Sequence, residues 1–183
     1  MGLGNPEEKY VNTRHNLGYR FIDYLAEQYH HIDWDSTQTY KYTKIMIGNE
    51  YLILIKGLTG MNSSGQALLQ AAHDYKVIAP FIYVVYDDLH LPFGYLRIKK
   101  SQSSGGHKGV ASIIDAIGTR FTCIKFGIGS APTGRLLEYV LGDFTNEEQQ
   151  QLPLIFDKVK ALPEYLHDYP LMVNVFNGHI LIK

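Results

Sequence analysis

The sequence predicts a single-domain α/β fold in which helices flank a mixed, largely parallel central sheet. The chain has 183 residues and is 45% hydrophobic, which is enough to bury one sizeable core. Neither a break in composition, nor an internal repeat, nor a low-complexity tract divides it, so residues 1–183 are assigned to one domain. Helical and strand patterns interleave along the chain, as in α/β proteins, where ligands bind beyond the carboxyl ends of strands.

Hydrophobic periodicity predicts the individual helices and strands. Apolar residues recur at helical spacing in residues 21–29, 67–72, 110–117 and 152–162. Apolar runs or alternation typical of strands occupy residues 43–47, 51–55, 81–86, 95–99 and 123–128. A turn at residues 48–50 predicts that the first two strands form a hairpin. His15 lies just before the first helix, and Asp87 lies at the end of the third strand.

Capping residues and prolines predict where two of these helices begin and end. Ser63 or Ser64 is available to cap the second helix. Thr145-Asn146-Glu147-Glu148 has the form of a capping box and predicts the start of the last helix. Pro153 and Pro163 are expected to divide that helix, because proline lacks the N–H that a helix interior requires.

Charge and cysteine content limit the classes of protein that fit. The formal net charge of −1 gives no global attraction to nucleic acid, so any RNA contact requires a local basic patch. Cys123 is the single cysteine, which excludes an intramolecular disulfide and predicts a free thiol in the core. Without a basic-then-apolar leader or an apolar run of about 18 residues, the sequence predicts a cytoplasmic location and no membrane span.

Motifs for nucleotide, serine-hydrolase and metal chemistry are incomplete. The segment Gly2-Leu3-Gly4-Asn5-Pro6-Glu7 begins like a dinucleotide fingerprint but has Glu7 at the third glycine position. Neither a G-x-S-x-G elbow nor a G-x-x-x-x-G-K-[ST] loop occurs. The eight histidines form no H-E-x-x-H cluster, and adjacent His30 and His31 would point in different directions. We therefore expect neither a cofactor nor a metal.

The amino-terminal sequence carries a specific family signature. Gly2-Leu3-Gly4-Asn5-Pro6, Tyr10 and Thr13-Arg14-His15-Asn16-Leu17-Gly18 together resemble the start of the bacterial-type peptidyl-tRNA hydrolases, which are metal-free esterases. Further motifs of that family follow in its order, at residues 61–65, 87–94, 106–109 and 127–129. The resemblance spans nearly the whole chain. It implies a monomer, without an obligate protein partner, that hydrolyses the ester between a peptide and the terminal ribose of tRNA.

The resemblance assigns the chemistry to His15 and Asp87. A neutral histidine can remove a proton from water near physiological pH, so an ester can be hydrolysed without a metal. His15 corresponds to the family's general base. Asp87 corresponds to the acidic partner that holds the imidazole in the useful tautomer and stabilises its protonated form. A structural histidine and a loop-capping aspartate are the alternatives, and His90 and His107 are assigned structural roles.

Five other residues match family positions that contact the substrate. Asn5 is implied to distinguish a peptide-bearing amino group from a free one, because an amide both donates and accepts hydrogen bonds. Asn62 would bind the terminal nucleotide or polarise the reacting carbonyl. Tyr10 would stack on the RNA end or bond to it, while Lys99 and Lys125 would clamp tRNA phosphates. The structural alternatives are asparagines that stabilise turns, a packed tyrosine and solvated lysines.

The sequence departs from the family pattern at three places. Lys108 stands where the family has an asparagine of the substrate site, and we expect this lysine to bind a phosphate. Gly60 replaces an aromatic residue of the substrate site, which removes a platform on which a base could stack. Only Met1 precedes Gly2, whereas the family begins with an apolar strand, so the usual first strand is expected to be shortened or missing.

Two main function classes remain open on this reasoning. The first is an active peptidyl-tRNA esterase, with activity reduced by the change at Lys108; the second is a non-catalytic RNA-binding relative of the same fold. Together His15, Asp87, Asn5 and Asn62 favour the enzyme, because a binding module needs neither a base, nor its acidic partner, nor an amide that reads a peptide. An esterase acting on small molecules is a third, more distant class.

Overall fold

The computed structural model describes residues 1–179 and arranges them as two sheets with helices packed against them. The helices are α1 (Leu17–Gln28), α2 (Ser64–Asp74), α3 (Lys108–Ile117), α4 (Leu136–Leu141), α5 (Asn146–Val159) and α6 (Tyr169–Phe176). The strands are β1 (Asp35–Ser36), β2 (Tyr40–Ile47), β3 (Glu50–Gly57), β4 (Tyr83–Asp88), β5 (Tyr95–Lys100), β6 (Thr122–Gly127) and β7 (Gly178–His179). Every segment predicted from hydrophobic periodicity overlaps an element of the predicted type. Across residues 1–179, every helix is too short or too polar to cross a membrane.

The strand directions differ from the predicted, largely parallel sheet, and that part of the prediction is wrong. One sheet has the order β1-β2-β3 with antiparallel neighbours, and the other has the order β4-β6-β5-β7. In the second sheet β4 and β6 run parallel, whereas β5 is antiparallel to both β6 and β7. The loop at residues 89–94 is too short for the crossover that two parallel strands need, so the chain reverses between β4 and β5.

The first residues of the chain lie between β3 and β4 and join the two sheets. Gly2 forms parallel bridges to both strands in place of a longer first strand. Its N–H donates to the Ile55 carbonyl at 3.0 Å, and the Val85 N–H donates to the Met1 carbonyl at 2.9 Å. These bonds connect the hairpin of β2 and β3 to the strand that ends at the candidate site.

Alternate residues of β4 and β6 supply two hydrophobic layers. Val84 and Cys123 pack with apolar residues of α2 and α3. The next residues, Val85 and Ile124, pack on the opposite face with apolar residues of α1 and α5, since successive side chains of a strand point in opposite directions. Cys123 is a buried free thiol, which confirms its predicted place in the core.

The predicted caps are confirmed at one helix and not at another. Thr145 Oγ1 accepts from the Glu148 N–H at 3.2 Å and Glu148 Oε2 accepts from the Thr145 N–H at 2.8 Å, which completes the capping box of α5. Ser63 occupies the N-cap position of α2, but its side chain makes no capping bond. Ser64 Oγ donates to the Met61 carbonyl at 2.8 Å instead. The preceding 3₁₀ turn leads directly into α2, so this helix needs no hydroxyl cap.

Pro153 does not divide α5, contrary to the prediction, and lies inside the helix. The proline ring faces solvent, where water can satisfy the carbonyl that loses its partner. Leu152 and Phe156 are buried on the opposite side and hold the helix against the core. Pro163 lies beyond the end of α5, in the 3₁₀ turn Leu162–Tyr165. Burial of the apolar face therefore outweighs one missing backbone hydrogen bond.

Gly18 allows α1 to approach β4 closely. A Cβ atom at this position would lie 2.4 Å from the Val85 carbonyl oxygen and 2.5 Å from the Leu3 nitrogen. Both neighbouring atoms are backbone atoms, which cannot move aside independently. The contact brings the turn before α1, and with it His15, to the carboxyl end of β4.

We expect Gly18→Ala to lower the free energy of unfolding by about 1–3 kcal/mol, because the added methyl group forces α1 away from β4. Urea denaturation of the purified variant measures this change. Gly60→Ala is the matched control, since Gly60 has nothing within 4 Å of an added Cβ and should change stability by less than about 0.5 kcal/mol. Equal stability of the Gly18 variant and the parent would contradict the close packing described.

Candidate active site

His15 and Asp87 meet at the carboxyl end of β4. His15 lies in the 3₁₀ turn Arg14–Asn16, directly before α1, and its Nδ1 atom is 3.0 Å from each carboxylate oxygen of Asp87. The aspartate side chain is only 2% exposed, whereas the histidine side chain is 13% exposed. An ionised carboxylate can only accept hydrogen bonds, so Nδ1 carries a proton and donates. Nε2 of a neutral His15 ring is then an acceptor.

His107 is a second imidazole on the same carboxylate, and sequence reasoning assigned it only a structural role. Its Nε2 atom lies 3.2 Å from Asp87 Oδ1. Its Nδ1 atom accepts from the Val110 N–H at 3.3 Å, which makes His107 the N-cap of α3. The sequence feature that could have indicated a role for His107 in the site was its position directly before a helix, within the motif at residues 106–109.

The two imidazoles keep the Asp87 carboxyl ionised. Burial by itself raises the pKa of this carboxyl. The charges and hydrogen bonds of His15 and His107 outweigh burial and hold the pKa of Asp87 well below its ordinary value of 3.8. Asp87 is therefore a carboxylate at neutral pH, and it can stabilise a positive charge on His15.

Arg14 fixes the turn that carries His15. Its buried guanidinium donates to the Asp143 carbonyl and to Glu148 Oε2, both at 2.7 Å. The same group lies 4.3 Å from the centre of the Tyr139 ring. Glu148 thus serves both the capping box of α5 and the anchor of the His15 turn, so α4 and α5 hold the site from one side.

Asn16 and Asn5 fix the same turn from the other side. Asn16 Oδ1 accepts from the Asn5 N–H at 2.8 Å, and Asn16 Nδ2 donates to the Asn5 carbonyl at 2.9 Å. The Asn5 side chain, predicted to read the peptide, accepts from the Met61 N–H through Oδ1 at 3.0 Å. Asn5 lines a hollow beside Asn16 and Tyr19, rather than the cleft at His15. Asn16 was not predicted as a site residue.

Asn62, Gly60 and Tyr10, also predicted to contact the substrate, lie in or beside short 3₁₀ turns. Asn62 is exposed in the 3₁₀ turn Met61–Ser63, and Gly60 precedes that turn with open space around it. Tyr10 is half-buried, with the Lys9 ammonium 4.8 Å from its ring centre. The structure therefore brings His15 and Asp87 together in one cleft, whereas Asn62, Gly60 and Tyr10 do not line that cleft.

The cleft at His15 has charged and apolar walls. It is lined by His15, Tyr86, Asp87, Asp88, Leu89, His90, Ser104, Gly105, Gly106, His107, Lys108, Lys125, Leu136, Leu137 and Val140. Lys108 is the first residue of α3 and is exposed. Lys125 is buried and pairs with Asp88 Oδ2 at 2.6 Å, whereas Lys99 is half-buried on β5. Lys125 was predicted to bind a tRNA phosphate, but its ammonium group already forms an ion pair with a carboxylate.

His15, Asp87 and His107 are also the described residues best placed to hold a metal, with ligand atoms within 4.8 Å of one another. The separations between imidazole nitrogens and carboxylate are 3.0–3.2 Å, which are hydrogen-bond lengths. Zinc would require each ligand atom at about 2.0–2.2 Å from the ion and the displacement of both N–H protons. The chemistry of the three groups fits a hydrogen-bonded base better than a metal centre.

A neutral imidazole with a buried carboxylate behind it, at the carboxyl end of a strand, can take a proton from water. Ser104 lines the same cleft, but its Oγ atom accepts from the Gly106 N–H at 3.3 Å. The fold and the site are those expected of a hydrolase that uses a histidine–carboxylate pair.

Comparison with known proteins identifies the family to which the chain belongs. A family model described as peptidyl-tRNA hydrolase matches residues 1–179, and the chain belongs to this family. The peptidyl-tRNA hydrolase of Fervidobacterium nodosum is 43% identical over 167 residues, covering 91% of this chain and 87% of that protein. The peptidyl-tRNA hydrolase of Clostridium botulinum is 40% identical over 183 residues, covering 97% of this chain and 94% of that protein.

A solved structure agrees with the sequence comparisons. The crystal structure of peptidyl-tRNA hydrolase from Acinetobacter baumannii has a TM-score of 0.91 and 29% identity, and the match covers 97% of this chain and 93% of that one. The predicted family and the mixed α/β fold class are confirmed. The chain is an enzyme of this type, and the non-catalytic alternative is not favoured.

Because the folded-state pKa of Asp87 lies below its ordinary value, its carboxylate stabilises the fold above about pH 4. That contribution should be lost as pH falls from about 5 towards the lower, folded-state pKa. We expect the free energy of unfolding of Asp87→Asn to fall less steeply than that of the parent over this range. Urea unfolding at successive pH values measures both slopes. Asp115→Asn, which removes an exposed carboxylate of α3, should keep the parent's slope, and a parent-like slope for Asp87→Asn would contradict the assignment.

Proposed function

We propose that this chain hydrolyses the ester that joins a peptide, or an N-blocked aminoacyl group, to tRNA, with His15 as the general base. The observation that carries the proposal is the pair of 3.0 Å contacts between His15 Nδ1 and the Asp87 carboxylate. This arrangement directs the proton to Nδ1 and leaves Nε2 to accept a proton from water. Release of free tRNA then makes that tRNA available again for translation.

The reaction needs only water and the imidazole. His15 Nε2 takes a proton from water while the water oxygen bonds to the ester carbonyl carbon, forming a tetrahedral intermediate. The intermediate collapses, and the bond between the carbonyl carbon and the ribose oxygen breaks. The His15 imidazolium returns its proton to that oxygen, so the products are a peptide acid and tRNA with a free hydroxyl. Asp87 stabilises the imidazolium between the two proton transfers.

Asn5 and Asn62 are proposed to contact the two sides of the ester. Oδ1 of Asn5 accepts from a backbone N–H, which leaves Nδ2 to donate to a carbonyl of the bound peptide. Asn62 has an exposed amide that can bind the terminal nucleotide or polarise the reacting carbonyl. The turn that carries Asn62 abuts the start of α3, since a Cβ added at Gly109 would lie 2.5 Å from Met61 Sδ. This contact supports placing Asn62 near the ester.

Lys108 and Lys99 are the better candidates for phosphate contacts. Lys108 is exposed beside the base, and a phosphate there would add a contact that the net charge of −1 does not supply. Lys125 can contact a phosphate only by sharing its ammonium with Asp88. Lys99 is half-buried on β5.

Tyr10 and Gly60 bear on how the RNA end is held. Tyr10 is proposed to stack on a base or bond to the RNA end. Gly60 offers no ring for stacking, and the open space around it is where the family's aromatic residue would project. We infer weaker binding of the terminal base at Gly60, offset in part by the charge of Lys108. A cytoplasmic monomer that needs no cofactor and no obligate protein partner completes the proposal.

His15→Ala should reduce release of tRNA from N-blocked aminoacyl-tRNA by about 10²–10⁴-fold, because water loses its base. The assay measures kcat/KM for the parent and the variant, with the unblocked aminoacyl-tRNA as a second substrate. The parent should prefer the blocked substrate. The catalytic proposal fails if parent and variant release tRNA equally slowly.

Lys108→Asn should weaken tRNA binding and lower the slope of log affinity against log salt by about 0.7–0.9, the effect of one phosphate contact. Fluorescence anisotropy with deacylated tRNA between about 50 and 200 mM salt measures both quantities. Lys158→Asn, which changes an exposed lysine of α5, is the charge-matched control and should leave the slope less affected. Equal affinity of Lys108→Asn and the parent across the salt range would exclude the phosphate role.

A further inference from the structure

We propose that His107 is a positioning residue for the base: it donates from Nε2 to Asp87 and so fixes the carboxylate that orients His15. The inference rests on the proposed function, in which His15 activates water. Its basis is the arrangement of three side chains and one backbone N–H in the described structure. His107 itself need not touch the substrate for this role.

A backbone N–H at the start of α3 determines the tautomer of His107. The Val110 N–H can only donate, and it lies 3.3 Å from His107 Nδ1, so Nδ1 carries a lone pair. In a neutral ring the proton must then be on Nε2, which is 3.2 Å from Asp87 Oδ1. The same carboxylate accepts from His15 Nδ1, which leaves His15 Nε2 as the acceptor. The proton position in the His107 ring therefore follows from the backbone donor, and the proton position in the His15 ring follows from the Asp87 carboxylate.

Packing holds the His107 ring in this orientation. Its side chain is 8% exposed. The ring meets Tyr86 edge-on, with centres 4.9 Å apart, and lies 4.7 Å from the His15 ring. A Cβ at Gly109 would come within 3.2 Å of His107 Cε1, so the helix backbone also closes against the ring. A ring confined on these sides keeps its Nε2–H directed at Asp87.

Two donors from different segments hold the carboxylate more firmly than one. His15 contacts both oxygens of Asp87, and with this contact alone the imidazole and the carboxylate could shift together. His107 ties Oδ1 to the start of α3, which belongs to a different part of the chain. The position of the His15 ring is thereby fixed relative to two rigid elements, β4 and α3. Loss of this tie should slow the chemical step without weakening substrate binding.

The variant His107→Asn separates positioning from helix capping. Asparagine is a favourable N-cap, so its side chain can still accept from the Val110 N–H, but it is too short to reach Asp87 as well. We expect a urea unfolding midpoint below that of the parent but above that of His107→Ala, a fall in kcat of roughly 10-fold or more, and little change in KM. His107→Ala, which loses both contacts, should unfold at lower urea and show at least the same loss in kcat.

Parallel assays of His15→Ala distinguish the two proposals. If His15→Ala is as active as the parent, the proposed function fails. If His15→Ala is inactive while His107→Asn keeps the parent's kcat, the inference about His107 alone is overturned. A raised KM with unchanged kcat in His107→Asn also overturns it, because that result indicates a substrate contact.

Nuclear magnetic resonance tests the inference without an activity assay. Long-range ¹H–¹⁵N spectra of the labelled parent near neutral pH report which ring nitrogens carry protons. We expect His107 protonated at Nε2 and unprotonated at Nδ1, and His15 protonated at Nδ1. A His107 ring protonated at Nδ1, or at both nitrogens, would overturn the proposal even if a variant failed to fold.

Discussion

The buried carboxylate of Asp87 is the constraint on which the rest of the site depends. Only 2% of its side chain is exposed, and a buried charge is tolerated only where donors surround it. The donors come from two separate segments, His15 before α1 and His107 at the start of α3. β4, α1 and α3 must therefore converge at one end of the sheet. The requirement that stabilises the fold is the same one that places His15.

The turn that carries His15 is fixed by its neighbours rather than by its own regular structure. Arg14 ties it to α4 and α5, and Asn16 ties it to the segment after Gly2 through paired bonds to Asn5. Gly18 allows the following helix to press against β4. A catalytic base must be held to within a fraction of an ångström of its working position, and a short turn achieves this only with such supports.

Charge around the site is divided between an interior and a rim. Inside, Asp88 and Lys125 neutralise one another, so the buried lysine adds little net field to the cleft. On the rim, Lys108 lines the same cleft and is exposed, so its charge is accessible to a bound anion.

The sequence by itself determined most features that depend on residues close together in the chain: the amphipathic helices, the β2–β3 hairpin, the strand with Asp87 near its carboxyl end and the capping box at Thr145–Glu148. Resemblance in motifs also identified the family, and with it His15. Tertiary structure alone decided that β5 pairs with β6 and β7, that His107 is a second imidazole on Asp87 and that Lys125 has a carboxylate partner. Each of these is a contact between segments distant in sequence. Hydrophobic periodicity predicts local helices and strands, but it does not identify the distant atom with which a given group forms a hydrogen bond.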